Sequence, residues 1–277
     1  MKVDAHELCV YCPRLCRDVC PVAVGSGREA ATPTAVMTAP WLAARGLLDP
    51  AEAGRAAALC TACGACEAHC KLHRPVPSLL ALARGELLPA PILGPLPPIS
   101  GAGAWIAVEP DGRRWAAALA EWWGEPIAGM VDPDDLGAPL LDHPAEFQAR
   151  GALLREAVGD RGLVVATAAA ARAAAALGLR HRHLADHVPA PVDRAILPPC
   201  GAVDGPDPLL RCCGAGEPLS RHHPPVAAAV GAAAAAGLGG RRTFAADARC
   251  AAHLRRFGAD LLDPIDILIG GAPPPSE

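Results

Sequence analysis

Aromatic residues are scarce in this sequence: they make up only 3% of its 277 residues, and alanine supplies much of the 52% hydrophobic fraction. Buried cores are therefore expected to contain mainly small side chains. Long apolar runs are also missing: the uncharged stretches 164–171 and 226–240, for example, are short and rich in alanine and glycine. A membrane-spanning helix needs about 20 predominantly apolar residues, so no transmembrane span is expected.

A large excess of one charge is absent as well. The formal net charge is −4, the pI is about 6.2, and the basic residues are scattered along the chain. Proteins that bind the nucleic-acid backbone concentrate lysine and arginine on one face, so nucleic acid is not an expected partner. The first residues, MKVDAHELC, contain acidic residues where a secretory signal has an apolar run, and we therefore expect a cytoplasmic protein.

Cysteine, in contrast, is abundant, with twelve residues in three groups. Disulfides are rare in a reducing compartment, so these cysteines predict metal ligation or catalysis. The second group has the spacing C-x2-C-x2-C-x3-C and consists of Cys60, Cys63, Cys66 and Cys70. Bacterial two-cluster ferredoxins share this spacing: three cysteines hold one iron-sulfur cube, and the fourth, a helical turn further on, ligates the other cube.

The first group has the same motif with one extra residue before its third cysteine. It consists of Cys9, Cys12, Cys16 and Cys20, followed by Pro21. The two groups together predict two 4Fe-4S clusters with crossed ligands. One predicted cluster takes Cys9, Cys12, Cys16 and Cys70. The other predicted cluster takes Cys20, Cys60, Cys63 and Cys66.

Two other interpretations of these eight cysteines stay open. Thiolates also select zinc, but four-thiolate zinc sites typically use two C-x2-C pairs. Two runs of four cysteines, with Pro21 after the first run, fit iron-sulfur ligation better. A disulfide framework is the other alternative.

The third group consists of Cys200, Cys212, Cys213 and Cys250. Neighbouring residues of an extended chain point to opposite sides, so Cys212 and Cys213 can face one metal only if the backbone turns, which Gly214 allows. This group is interpreted either as a metal or cluster site or as small buried hydrophobic residues. His181 and His183, which precede this group in the sequence, are interpreted as part of a solvated loop.

Residues 88–103, rich in proline and glycine, are interpreted as a linker. Beyond the linker, strand-like and helix-like stretches alternate, which predicts a parallel α/β layer. The predicted strands are 105–108, 127–131 and 163–167, and the predicted helices are 113–123, 144–158 and 169–177. A similar order returns after residue 191 and indicates an internal repeat, in which Asp135-Leu136-Gly137 corresponds to Cys212-Cys213-Gly214 and Ala170 to Cys250.

The expected fold class is thus α/β and multidomain. A helical ferredoxin domain with two clusters precedes two small α/β subdomains, and the residues Asp49-Pro50-Ala51-Glu52 predict a capped helix start within the ferredoxin part. The predicted divisions are the ferredoxin domain 1–87, the linker 88–103, a repeat without cysteines 104–190, and a repeat with Cys200, Cys212, Cys213 and Cys250 over 191–277.

Several of these motifs resemble a known family. Residues 9–84, with CVYCPRLCRDVCP, TPTAV and LCTACGACEAHC, resemble the α-helical ferredoxin domain of heterodisulfide reductase, anaerobic glycerol-3-phosphate dehydrogenase and glycolate or lactate oxidation complexes. Residues 104–270 resemble the paired cysteine-rich CCG domains that follow it in the iron-sulfur subunits of that type. The resemblance implies a further cluster or a zinc ion in the CCG part, and a flavoprotein as the neighbouring subunit.

The CCG part departs from the family pattern. Cys212-Cys213-Gly214 matches the CCG signature, Cys200 matches the cysteine upstream of it, and Cys250 matches the second cysteine of a closing C-x2-C whose first position is Asp247 here. The interval between Cys200 and Cys212 is much shorter than in the family, and Asp135-Leu136 replaces the cysteine pair in the first copy. The resemblance therefore implies one cysteine site at most.

The expected function is that of an electron-transfer subunit that is not itself catalytic. It would pass single electrons between a flavoprotein dehydrogenase, or another redox subunit, and an acceptor such as a quinone or a disulfide. Peripheral association with a membrane complex stays open. Two alternatives remain: an enzyme whose third cluster at the CCG site reduces a substrate directly, and a scaffold with zinc bound in its C-terminal half.

Overall fold

The computed structural model describes residues 4–13, 16–110, 113–188, 190–198 and 212–270, so the predicted ligand Cys200 lies outside the described residues. The protein is mixed helix and sheet, 51% helical, with small parallel sheets and a helical ferredoxin-like N-terminal part. The described residues form two compact units. The first unit takes them from 1–90, 200–240 and 253–259, and the second from 91–199, 241–252 and 260–277. The sequence-based domain boundaries remain predictions.

The helices and strands of the described residues are as follows. The helices are α1 Asp4–Val10, α2 Pro21–Ser26, α3 Pro33–Ala43, α4 Pro50–Ala57, α5 Ala65–His69, α6 Val76–Leu87, α7 Ala116–Trp123, α8 Pro144–Val158, α9 Ala168–Ala176, α10 Glu217–His222, α11 Pro224–Gly237, α12 Ala248–Arg255 and α13 Pro264–Gly270. The strands are β1 Trp105–Val108, β2 Ile127–Val131, β3 Gly162–Val165, β4 His181–His183, β5 Ala195–Leu197, β6 Thr243–Ala245 and β7 Leu261–Leu262. Among the described residues, no helix has the length and apolarity of a membrane span.

Capping side chains and prolines fix where the helices of the first unit begin. The Thr32 hydroxyl accepts a hydrogen bond from the amide of Ala35 at the start of α3. The Asp49 carboxylate accepts one from the amide of Glu52 at 3.0 Å, with Pro50 as the first helical residue of α4. The start of α4 was predicted from the sequence and is confirmed. A capping acceptor and a proline at the first helical position favour the same backbone conformation there.

The core of the first unit contains residues from both ends of the sequence. Met37 and Leu80 are fully buried in it, and so is Val230 from helix α11. Two glycines allow close packing against α11: a Cβ atom on Gly25 would lie 3.1 Å from the Cα of Val230, and one on Gly214 would lie 2.9 Å from the carbonyl oxygen of Ala227. Helix α11 therefore completes the hydrophobic core around the N-terminal helices.

The second unit is built on two small parallel sheets. The larger has the order β2-β1-β3-β4, and the smaller has the order β5-β6-β7. The predicted strands 105–108 and 127–131 and the predicted helix 144–158 are confirmed. The predicted helix 113–123 instead begins at Ala116, because the buried Glu109 carboxylate accepts hydrogen bonds from the amides of Trp115 (2.6 Å) and Ala116 (2.9 Å) and fixes the helix start there.

The interpretation of His181 and His183 as a solvated loop is wrong. These residues form β4, which pairs in parallel with β3 at the edge of the larger sheet. Their polar side chains are compatible with an edge strand, because one side of such a strand faces no neighbouring strand.

The starts of helices α9 and α12 are joined by one buried carboxylate. Asp247, only 4% exposed, accepts hydrogen bonds from the amides of Arg249 (2.9 Å) and Cys250 (3.1 Å) and so caps α12. Its other oxygen accepts a hydrogen bond of 2.7 Å from the amide of Ala168, the first residue of α9. A second hydrogen bond joins the same two segments: the amide of Ala248 donates to the carbonyl oxygen of Ala166 at 2.9 Å. Asp247 therefore satisfies donors at two helix N-termini.

Replacing this carboxylate is expected to destabilise the protein. Asp247→Ala leaves buried amides without acceptors, so the free energy of unfolding should fall by about 1–3 kcal/mol. Urea denaturation followed by circular dichroism measures the change. Asp160→Ala, at an exposed position of the same unit, is the matched control, and equal midpoints for the two variants would contradict the capping role.

Candidate metal centres

Two cavities in the first unit are lined by the eight N-terminal cysteines. One cavity contacts the cysteines that we call the first set; the other contacts those that we call the second set. The first set consists of Cys9, Cys12, Cys16 and Cys70. The second set consists of Cys20, Cys60, Cys63 and Cys66. Cys66, Pro33 and Val76 line both cavities, which therefore adjoin.

Helix ends position the first set. Cys9 lies in the last turn of α1, and Cys70 is the residue that ends α5. Cys16 precedes the short 3-10 helix Arg17–Val19, whose last residue leads into Cys20 at the start of α2. Cys9, Cys12 and Cys16 of the first run therefore line one cavity, whereas Cys20 lines the other.

Two left-handed residues position the second set. Ala62 has φ +56° and Gly64 has φ +77°, and together they turn the chain between Cys60 and Cys66. The amide of Ala62 donates to the Sγ of Cys60 at 3.4 Å. Non-glycine residues with positive φ are uncommon and concentrate at functional sites, so the turn at Ala62 is a feature of the site itself.

Burial makes the thiolate forms of four of these cysteines unfavourable. Desolvation raises the pKa of Cys9 to about 11 and that of Cys20 to about 12, and it also raises the pKa values of Cys16 and Cys66. The neighbouring cysteines raise the pKa of Cys66 further, because thiolates of like charge repel each other. A group of high positive charge is needed to hold these sulfurs as thiolates.

The residues fit iron-sulfur clusters. Each cavity has at least four cysteine sulfur donors, which are the ligands of 4Fe-4S clusters, and its other lining is mainly apolar. Within the described part of the chain, no group of three or more His, Cys, Asp or Glu side chains is arranged to hold a single metal ion.

The C-terminal cysteines are divided between the two units. Cys212 and Cys213 belong to the first unit and are 5% and 4% exposed, whereas Cys250 belongs to the second unit and is 6% exposed. The thiol of Cys212 donates a hydrogen bond of 3.3 Å to the hydroxyl of Thr61. Gly214, at φ +85°, provides the turn expected after the cysteine pair. A shared site of Cys200, Cys212, Cys213 and Cys250 remains a prediction.

Sequence reasoning missed two residues of this region. Thr61 lines the cavity of the second set and contacts Cys212; its position between Cys60 and Cys63 was the only signal available. Arg74 lines the cavity of the first set, and its position four residues after Cys70 gave no indication of that.

Comparison with known proteins agrees with the chemistry of this region. Residues 5–73 match the family model of the 4Fe-4S dicluster domain. This match supports iron-sulfur binding by the N-terminal part of the chain. No curated protein and no solved structure matches the sequence.

Crossed ligation makes a specific prediction for Cys20. Although it lies in the first run, Cys20→Ala should remove the same cluster signal as Cys63→Ala, because both residues line the cavity of the second set. Bound iron should fall from about eight to about four atoms per chain, as expected when one of two 4Fe-4S clusters is lost. Electron paramagnetic resonance of the reduced protein identifies which signal disappears.

Cys12→Ala is the matched variant for the first set and should remove the other signal. Cys250→Ser is the control that should retain both signals. If Cys20→Ala removed the signal that depends on Cys12, the crossed arrangement would be wrong.

Proposed function

We propose that the protein is an iron-sulfur electron-transfer subunit with two 4Fe-4S clusters, one held by each set of cysteines. One observation carries this proposal: cysteines of both sequence runs line each of two adjoining cavities, which share Cys66. Adjoining cavities suit electron exchange, because clusters bound there would be close together. When bound, each cluster would take up or release one electron at a time.

The side chains around the cavities suit this role. Val22 and Leu80 line the second cavity and are almost fully buried, so they exclude water from the sulfurs. Burial and local charge are among the properties by which a protein sets the potential of an iron-sulfur cluster, within a range of about −700 to +450 mV. The chain would thus bind the clusters, shield them from solvent and tune their potentials.

The proposed partners come from the family resemblance. A flavoprotein dehydrogenase or another redox subunit would exchange electrons with one cluster, and an acceptor such as a quinone or a disulfide would exchange them with the other. We place the protein with the iron-sulfur subunits of the heterodisulfide reductase and glycolate oxidase type, in the cytoplasm.

The proposal also includes the CCG-like repeat. Three observations support it: β5-β6-β7 has the same parallel order as β1-β3-β4, Thr167 caps α9 by accepting from the amide of Ala170, and Asp247 caps α12 in the same way through the amide of Cys250. Ala170 and Cys250 are the pair that the sequence repeat aligns.

A second candidate function is favoured by the contact between Cys212 and Thr61. Because Thr61 lines the cavity of the second set, the thiol pair Cys212-Cys213 lies within one side chain of that cavity. Each thiol also accepts a hydrogen bond of 3.4 Å from an amide two residues ahead, as the proposed ligand Cys60 does. A third iron-sulfur cluster at this pair would make the protein a reductase that acts on its substrate directly.

Iron and sulfide analysis tests the main proposal. After anaerobic reconstitution, the protein should contain about eight iron atoms and eight acid-labile sulfides per chain, the content of two 4Fe-4S clusters. The reduced sample should give the resonance of two interacting paramagnetic clusters at low temperature. Bound zinc with almost no sulfide would reject the proposal and favour the zinc scaffold.

Cys213→Ser distinguishes the two candidate functions. In a direct reductase this substitution should abolish turnover while the spectrum of the N-terminal clusters stays intact. In an electron-transfer subunit it should leave both the cluster spectrum and electron transfer to the partner unchanged. Turnover with an artificial electron donor, measured beside the spectrum, separates these outcomes.

A further inference from the structure

The two cysteine-lined cavities differ in charge. Arg74 lines the cavity of the first set, together with the apolar side chains of Leu72 and Val76. Around the second cavity, the described lining residues other than the cysteines have uncharged side chains. The guanidinium group is charged at all accessible pH values, so this difference persists under every working condition.

The position of Arg74 follows from a turn that begins at a proposed ligand. The amide of His73 donates to the carbonyl oxygen of Cys70 at 3.0 Å, and His73 has φ +49°, in the left-handed region. This turn reverses the chain after Cys70 and places Arg74 against the cavity. A backbone conformation that is costly for a non-glycine residue is thus used where it positions a charge.

Arg74 acts on the first set through its position, because its side chain lines that cavity and no charged side chain is among the described lining residues of the second cavity. A positive charge beside a cavity stabilises an added electron on a group bound there, because the electron makes the site more negative.

We propose that Arg74 makes the first set the higher-potential end of the pair of clusters. This inference rests on the proposed function. It fixes the internal direction of transfer: one electron passes from the site of Cys20, Cys60, Cys63 and Cys66 to the site beside Arg74, and no bond or proton changes place. The low-potential partner therefore donates at the second set, and the acceptor takes electrons from the first.

The order of potentials can be measured in the unmodified protein. Cys12→Ala and Cys63→Ala assign the two resonance signals to the first and second sets. A redox titration followed by electron paramagnetic resonance then gives the midpoint potential of each signal. The signal that Cys12→Ala removes should have the higher midpoint potential. The opposite order in the unmodified protein would be sufficient to overturn the proposal.

Arg74→Gln tests the residue itself. It should lower the midpoint potential of the first set. At a fixed applied potential, the ratio of reduced to oxidised cluster should then fall at least tenfold, which corresponds to a shift of about 59 mV for a one-electron couple. The second set should shift less. Arg74→Lys retains the charge and should keep most of the potential.

Arg55→Gln is the matched control, since Arg55 is exposed on α4 and lines neither cavity. It should change neither potential. Equal effects of Gln and Lys at position 74, or equal shifts of both clusters, would overturn the role of Arg74. If Arg74→Gln binds two clusters and their potentials are unchanged, only the role of Arg74 is rejected. If the reconstituted unmodified protein binds no clusters, the proposed function is rejected as well.

Discussion

The mutual burial of thiols from two distant runs is the constraint on which the first unit depends. Cys20 and Cys63 come from different runs and line the same cavity, as do Cys9 and Cys70. Burial raises the pKa values of Cys9 and Cys20 so far that their thiolates are unfavourable at neutral pH. A cationic cofactor would reverse this penalty, and because cysteines of both runs line each cavity, its binding would be coupled to folding of the helices between them.

Part of the C-terminal half of the sequence packs against the loops that contain the N-terminal cysteines. Helix α11 packs its small residues into the core that supports the cysteine loops, and Gly214 allows the preceding thiol pair to approach α11 closely. Cys212 consequently contacts Thr61, in the loop between two cysteines of the second set. The location of the thiol pair is therefore a result of core packing, whether or not the pair binds a metal.

The features that could be predicted from the sequence are the local ones. Cysteine spacing predicted the crossed pairing, which stays a prediction, and the start of α4 followed from Asp49 and Pro50. Arg74 and Thr61 could not be predicted, because their places depend on the left-handed turns at His73 and Ala62. The packing of α11 was also missed, since a helix of alanine and glycine has no polar face from which its buried side could be inferred.

Asp247 has a structural role in the second unit, although the family resemblance implies a cysteine at this position. Its two carboxylate oxygens accept hydrogen bonds from three amides at the starts of α9 and α12. An oxygen that also ligated a metal would have to release a helix N-terminus, at the cost of an unsatisfied donor. Asp247 therefore stabilises the starts of two helices in the second unit, and the two cavities lined by several cysteines lie in the first unit.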